Sequence, residues 1–265
     1  RITMSEKYIK FFEGFALAYG VADMSTLKVD PESGKQKPDY RWNDEELTEQ
    51  VYLNHLAGTQ SIGVQPCNEN SDARFGVVDV DPKNYTDFDK KFFIDIIQNY
   101  NLPLIPVLSK SGGLHLYLFM SEFVPAVLIR SFLSNLLPLF KLKPDCEIFP
   151  KQTQLTKDNE TGQLNKGNFI NLPYFKKSER VAINIDGTAF TFNQFIEVVE
   201  SNTTTPEKLK TITEGIEQKD LEGVDAEFDD GPPCLAHLSK IMRNPGFDGK
   251  DRFMYNYHVF VKMKY

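Results

Sequence analysis

The stretch that decides the reading is Phe75-Gly-Val-Val-Asp-Val-Asp-Pro-Lys-Asn84. It is a short apolar run that ends in two carboxylates, Asp79 and Asp81. In a strand, side chains i and i+2 share a face. The pattern sends Val78 and Val80 to the core and stands Asp79 and Asp81 together on the opposite face. Two like charges held that close are costly unless a cation sits between them. Carboxylate oxygens of this kind suit Mg²⁺ or Mn²⁺. The plainer reading of the same residues is a strand running into an Asp-Pro turn, and the rest of the chain decides between the two.

Three further segments carry residue types of the same chemistry. Ser109-Lys-Ser-Gly-Gly-Leu-His115 reads as a hairpin turn followed by a strand. A Ser/Gly-rich turn offers backbone N–H groups that cradle phosphates, and Lys110 adds a point charge. His115 is placed to donate to a phosphate oxygen; a histidine packed for structure is the alternative. Pro144-Asp-Cys-Glu-Ile-Phe-Pro-Lys-Gln152 puts Asp145 and Glu147 on one strand face, and either completes a three-carboxylate set with Asp79 and Asp81. Lys151 and Gln152 follow, where a cation and an amide meet a triphosphate. A solvated strand edge is the alternative for that segment. Gly167-Asn-Phe-Ile-Asn-Leu-Pro-Tyr174 supplies Asn168 and Asn171 as partners for a sugar, a base or a metal-bound water. Three carboxylates can hold two Mg²⁺ roughly 4 Å apart, the arrangement that stabilises both the attacking and leaving oxygens of phosphoryl transfer. Lys, His and backbone N–H groups offset the remaining charge of a nucleoside triphosphate.

The 265 residues suffice for a substantial core, and 21 Phe and 11 Tyr indicate a globular fold. Ser5 to Tyr19 reads as helix with Ser5 as N-cap, Pro31 to Tyr40 as loop, and Asn43 to Gly58 as a second helix whose capping box is completed by Glu46. Ile62 to Gln65 and Phe75 to Asp81 read as a strand pair. Asp87 to Tyr100 and Pro125 to Phe140 read as helices, Leu104 to Leu108 and Leu114 to Met120 as a hairpin, and Glu147 to Phe149 and Phe169 to Leu172 as short strands. Ala189 to Phe192 and Phe195 to Glu200 close the compact region. Helices and strands alternate without a regular βαβ period, which predicts an α+β fold with a mixed or antiparallel sheet. Arg1-Ile2-Thr3, ahead of Met4, is read as foreign to the natural start and excluded.

The net charge of −7 does not suggest a nucleic-acid binder, but the charge is unevenly spread. Phe140 to Arg180 carries eight Lys/Arg against five Asp/Glu, whereas Glu197 to Asp230 carries eleven Asp/Glu against three Lys. Composition shifts near residue 202, so residues 4–202 are expected to form the catalytic domain, 203–230 an acidic linker or helical segment, and 231–265 the start of a helical accessory region that stops mid-module. No apolar run reaches bilayer length and no signal peptide is visible. The cysteines, Cys67, Cys146 and Cys234, are scattered and odd in number, so neither a disulfide framework nor a zinc knuckle is expected. A reducing cytoplasm, of a bacterium or a phage-infected cell, is the expected setting.

Taken together, the segments resemble the archaeo-eukaryotic primase superfamily, the primase-polymerases. Its three motifs, hDhD/E, sxH and an acidic hD/E strand, appear as Val78-Asp79-Val80-Asp81, Gly113-Leu114-His115 and Asp145-Cys-Glu147-Ile-Phe. The resemblance spans about Ser5 to Glu200, and the Ile148-Phe-Pro-Lys-Gln152 run and the Gly167–Tyr174 segment look like the primase domain of phage, mobile-element and conflict-system proteins. It implies an RRM-like sheet beside an N-terminal α/β unit, and template-directed primer synthesis and DNA extension from NTPs or dNTPs on single-stranded DNA, with Mg²⁺ or Mn²⁺. It implies Asp79 and Asp81 as metal ligands, with Glu147 or Asp145 as the third. It implies His115 at the incoming triphosphate and Ser111, Lys110, Lys151 and Arg74 as phosphate contacts. A helicase, in the same polypeptide or separate, is a partner the resemblance suggests. Competing readings are a metal-dependent nuclease, a DxD sugar-nucleotide transferase and a non-catalytic single-strand binder on exposed aromatics, for which Tyr117, Phe119, Tyr174 and Phe175 are candidates that core packing explains equally well.

Overall fold

A computed structural model of the chain describes residues 2–29, 34, 36–85, 87–176 and 178–216. The compact unit that carries the motifs runs from Arg1 to Pro206. The expected accessory region, 231–265, lies outside the described residues, as does the acidic segment beyond 216; residues 206–216 are helical.

Two antiparallel sheets form the unit, and with the helices they make the expected α+β fold. The first contains β1 (Tyr19–Val29), β2 (Gln36–Asn43), β3 (Ile62–Val64) and β8 (Ile170–Asn171), in the order β2-β1-β3-β8. The second contains β4 (Asp72–Val80), β5 (Leu104–Leu108), β6 (Leu114–Pro125) and β7 (Glu147–Phe149), in the order β5-β6-β4-β7. β4 is central and buried on both faces, which is why its sequence is a near-continuous apolar run rather than an alternation. On one face Phe75, Val77, Tyr117 and Phe119 join the core shared with Val21, Ile62 and Val64 of the first sheet. The other face is covered by α4 (Ala126–Leu136). Gly76 is required there, because a Cβ would collide with Ile129.

Phe12, just past α1 (Met4–Phe11), binds the two sheets together. Its ring meets Phe75, Tyr117 and Phe119 edge-on and stacks against Phe195 of α5 (Phe192–Asn202). The Tyr52 hydroxyl on α2 (Glu49–Ala57) donates to the Phe12 carbonyl at 2.8 Å. His55, wholly buried on the same helix, accepts the Ile62 N–H at Nδ1 (3.1 Å) and donates from Nε2 to the Pro173 carbonyl (2.9 Å). Burial lowers its pKa to about 4, against the opposing pull of the Pro173 carbonyl. No helix among the described residues is long and apolar enough to cross a membrane.

Several sequence expectations are corrected. The first helix is capped by Thr3, in a reciprocal capping box with Glu6, so the residue excluded as foreign closes the helix start. That helix stops at Phe11, and β1 begins at Tyr19. Of the loop expected from Pro31 to Tyr40, residues 36–40 are strand, because β2 pairs with β1 from Tyr19↔Asn43 to Val29↔Gln36. Asn43 lies in β2; the second helix starts six residues later, after Thr48. Ile62 to Gln65 and Phe75 to Asp81 are not a pair: β3 bonds β1 and β8, whereas β4 lies in the other sheet. α3 (Lys90–Asn99) and α4 are shorter than expected but in place.

Two measurements check this packing. Phe12→Ala is expected to lower stability by about 3–5 kcal/mol, read by urea denaturation, because a large buried aromatic is lost with little room for collapse. The unfolded His55 takes up a proton near pH 6.5 and the folded one only near pH 4. Between these values the unfolded state binds more protons, so stability falls as pH drops through the window, by roughly 3 kcal/mol in full. His55→Gln should flatten the slope by that amount; a variant slope equal to the wild type's would mean His55 is not held neutral.

Candidate active site

The site is built by the register of β4. Asp79 lies directly opposite His115 on β6 and directly opposite Glu147 on β7. Directly paired residues of antiparallel strands point to the same side, so the three side chains form one row across the sheet. His115 Nε2 stands 3.3 Å from Asp79 Oδ1. Glu147 Oε1 accepts from Lys151 Nζ at 2.6 Å, and the Lys151 ammonium lies 5.2 Å from the centroid of the Phe149 ring. The row one step further in is core: Val77 is opposite both Tyr117 and Phe149.

Asp81 lies just beyond β4. Its Oδ1 accepts the Lys83 N–H at 3.1 Å and starts a short 3₁₀ turn, Pro82–Asn84, for which the proline at its first position is preorganised. The turn brings Asn84 and Tyr85 back to the carboxylates. Asp79, Asp81, Asp145 and Glu147 line one cavity of about 310 Å³ with Asn84, Tyr85, Lys143 and Cys146. The negative field shows in its neighbours. Burial pushes the Cys146 thiol up to about 11, with the Asp79, Asp145 and Glu147 carboxylates adding to the shift. Burial likewise pushes the Tyr85 phenol up to about 12, reinforced by Cys146. Asn84, Tyr85 and Lys143 were not expected in the site; the Asp-Pro step after the first motif is the signal for Asn84 and Tyr85, and none marked Lys143.

The Ser109–Gly113 turn seats against the end of β4. Gly112 has φ +87°, a left-handed conformation that favours glycine. Gly113 is pressed so close to Val80 that a Cβ would collide with its carbonyl. The Ser109 hydroxyl accepts the Gly113 N–H at 3.0 Å and lies 3.0 Å from the Ser111 hydroxyl. Lys110 and Ser111 are exposed at the tip.

Other expected site residues are placed elsewhere. Arg74 is five residues before Asp79, about 16 Å along the strand. Its guanidinium is held by Glu13 (Nη1 to Oε2, 2.6 Å) and the Ser121 carbonyl (3.2 Å), so it does not join the row. Asn171 is on β8 of the other sheet, opposite Gly63. Gln152, expected at a triphosphate, bonds Asn168 in both directions and accepts from Gln65 at 3.0 Å.

Among the described residues, no three Asp, Glu, His or Cys side chains stand close enough to hold an ion as placed. The donor set nevertheless fits a hard divalent cation: four carboxylates share one cavity, with Glu147 bonded to the Lys151 ammonium and Asp79 beside His115 Nε2.

No curated protein matches the chain. A solved structure, that of primase RepB′, aligns over 98% of this chain and 92% of its own at 10% identity and a TM-score of 0.30, a weak likeness. Residues 25–212, well over half of the chain and including all three motifs, match the pattern that defines the archaeo-eukaryotic primase domain of the TOTE conflict system. The chain belongs to that archaeo-eukaryotic primase family.

Proposed function

We propose that the protein synthesises primers on single-stranded DNA and extends them as DNA, joining nucleotides from NTPs or dNTPs. The observation that carries this reading is the row Glu147–Asp79–His115, with Asp81 and the Ser/Gly turn at its edge. It joins an oxygen-rich cation site to a phosphate-binding turn on one sheet end, the pairing that nucleotidyl transfer needs. The proposed setting is the DNA of a phage or mobile element, in keeping with the conflict-system character of the family.

In this reading Asp79 and Asp81, with Glu147 or Asp145, hold Mg²⁺ or Mn²⁺. Bound there, the ions supply the positive charge that favours attack by the primer 3′-oxygen and departure of pyrophosphate. The side chains do the rest. Asp79 orients the His115 ring, and Nε2 donates to an oxygen of the nucleotide once the substrate takes that position. The Ser111 hydroxyl and Lys110 ammonium at the turn tip bind phosphate oxygens, and Gly113 lets the turn approach β4 closely enough for them to do so. Lys151 is released from Glu147 towards the phosphates when a cation takes that carboxylate. Asn171 remains a candidate contact to the nucleotide from the opposite sheet.

Two outcomes check the assignment. Incubation with single-stranded DNA, labelled nucleotides and Mg²⁺ or Mn²⁺ should give a ladder of new oligomers, reduced at least about a hundredfold in Asp79→Ala and Asp81→Ala. Shortened template with no new strand would identify a nuclease instead. Glu147→Gln should weaken Mn²⁺ binding, followed by the paramagnetic resonance of free Mn²⁺, more than Asp145→Asn does, because Glu147 shares the face of Asp79 whereas Asp145 precedes the strand. The reverse order would make Asp145 the third ligand.

A further inference from the structure

A cavity of about 600 Å³, separate from the one that holds the carboxylates, lies between Trp42 of β2 and residues 156–167. Residues 156–165 form a small hairpin. Lys157 bridges Leu164 antiparallel, and the Asn165 N–H donates to the Thr156 carbonyl at 2.8 Å. At the tip the Asp158 carboxylate accepts the Glu160 and Thr161 N–H groups. Trp42 Nε1–H donates to the Gly167 carbonyl at 3.3 Å. The indole also meets Phe169 edge-on, with ring centroids 5.0 Å apart. Phe169 can take that place because Gly20 and Gly63 lie against its ring; a Cβ at either would collide with it. These contacts hold the indole in one orientation, with its exposed part lining the cavity.

The lining is polar and close to neutral. Lys157 and Lys166 stand with Asp158, and Lys166 is bonded to the Asp44 carboxylate. Two lysines offset by two carboxylates give little attraction for a bare phosphate or a triphosphate. A flat neutral group with hydrogen-bonding edges suits the space better. The indole offers a surface for stacking. The side-chain amides of Asn159 and Gln163 line the cavity and form no hydrogen bond to another described residue. A nucleobase has these properties, and only an unpaired one offers a face and an edge together. The hairpin is also tied to the carboxylate row. Gln152, next to Lys151, bonds Asn168 and Gln65, and Gly167 packs so tightly on Gln152 and Gln65 that a Cβ would collide with both. The chain from Gln152 to Thr156 spans at most about 14 Å, the length of about four nucleotides at 3.4 Å each.

We propose that Trp42 and the 156–165 hairpin form a pocket for one unpaired base of single-stranded DNA, a few nucleotides from the Glu147–Asp79–His115 row. This rests on the primer-synthesis reading above and adds to it a place where the template strand is gripped. The indole stacks on the base, Asn159 and Gln163 meet its edge, and Lys157, which has no ion pair among the described residues, meets the adjoining phosphate. Because Gln152 fixes the hairpin relative to β7, a base held in the pocket sets which template position comes to the row.

Trp42 is the single tryptophan of the chain, so its emission reports on the pocket directly. Three probes at matched nucleotide concentration test it: a thymidine oligomer of about 12 nucleotides, an abasic deoxyribose-phosphate chain of the same length, and dTMP. The oligomer should quench the emission saturably, and the other two should not. Equal quenching by the abasic chain overturns the proposal and leaves a phosphate contact alone. Equal quenching by dTMP overturns it in favour of a free-nucleotide site. With an end-labelled oligomer, Trp42→Leu should weaken binding roughly 5- to 100-fold, and Trp42→Tyr should recover part of the loss. Wild-type affinity in folded Trp42→Leu also overturns the pocket; if that variant does not fold, the wild-type emission decides. Primer synthesis without base-dependent quenching means that the pocket fails alone. Base-dependent quenching with no product means that the primase reading fails and the pocket stands as a single-strand site. If neither is seen, both fail.

Discussion

The arrangement depends on the register of β4 between β6 and β7. Because side chains alternate faces, a slip of one residue would send Asp79 to the side covered by α4 and Val78 into the site. The register is fixed by packing on both faces: Phe75 and Val77 lie against the shared aromatic core on one side, and Gly76 lies under Ile129 on the other. No single polar contact could hold the row as firmly. Asp79, His115 and Glu147 are where they are because Val77, Tyr117 and Phe149 are buried one step below them.

That step marks the boundary between core and site. Within it, aromatic rings bind the two sheets. Beyond it, the strands run out and four carboxylates share a cavity. Holding them together is costly in free energy, and the structure offsets it locally. His115 stands against Asp79, Lys151 bonds Glu147, the Lys83 N–H caps Asp81, and Lys143 lines the same space. These are contacts a divalent cation or a phosphate can exchange for its own.

The sequence was legible where local pattern and packing agree. The apolar run of β4, the β5–β6 hairpin and α4 read correctly because their residues meet core on the faces their spacing indicates. The β1–β2 pairing did not, because Gln36, Lys37, Pro38 and Asp39 have the composition of a loop and form strand through pairing with a neighbour. Sheet membership was also hidden: Ile62–Val64 and Phe75–Val80 look alike and are close in the chain, yet β3 and β4 belong to different sheets. The site shows the same limit. Its carboxylates and histidine stood out as residue types, but their alignment in one row is a cross-strand property. Arg74, near Asp79 in sequence, is committed to Glu13 and does not join the row.

In the proposed reading, the row on β4, β6 and β7 and the carboxylate beside it hold the cation that serves the nucleotide. Anomalous scattering from crystals soaked with Mn²⁺ and a non-hydrolysable deoxynucleoside triphosphate tests it most directly. Mn²⁺ peaks are expected between Asp79 and Asp81 with a carboxylate from Glu147 or Asp145 in contact. Well-ordered Mn²⁺ and nucleotide bound elsewhere, with Asp79 still turned to His115, would contradict it.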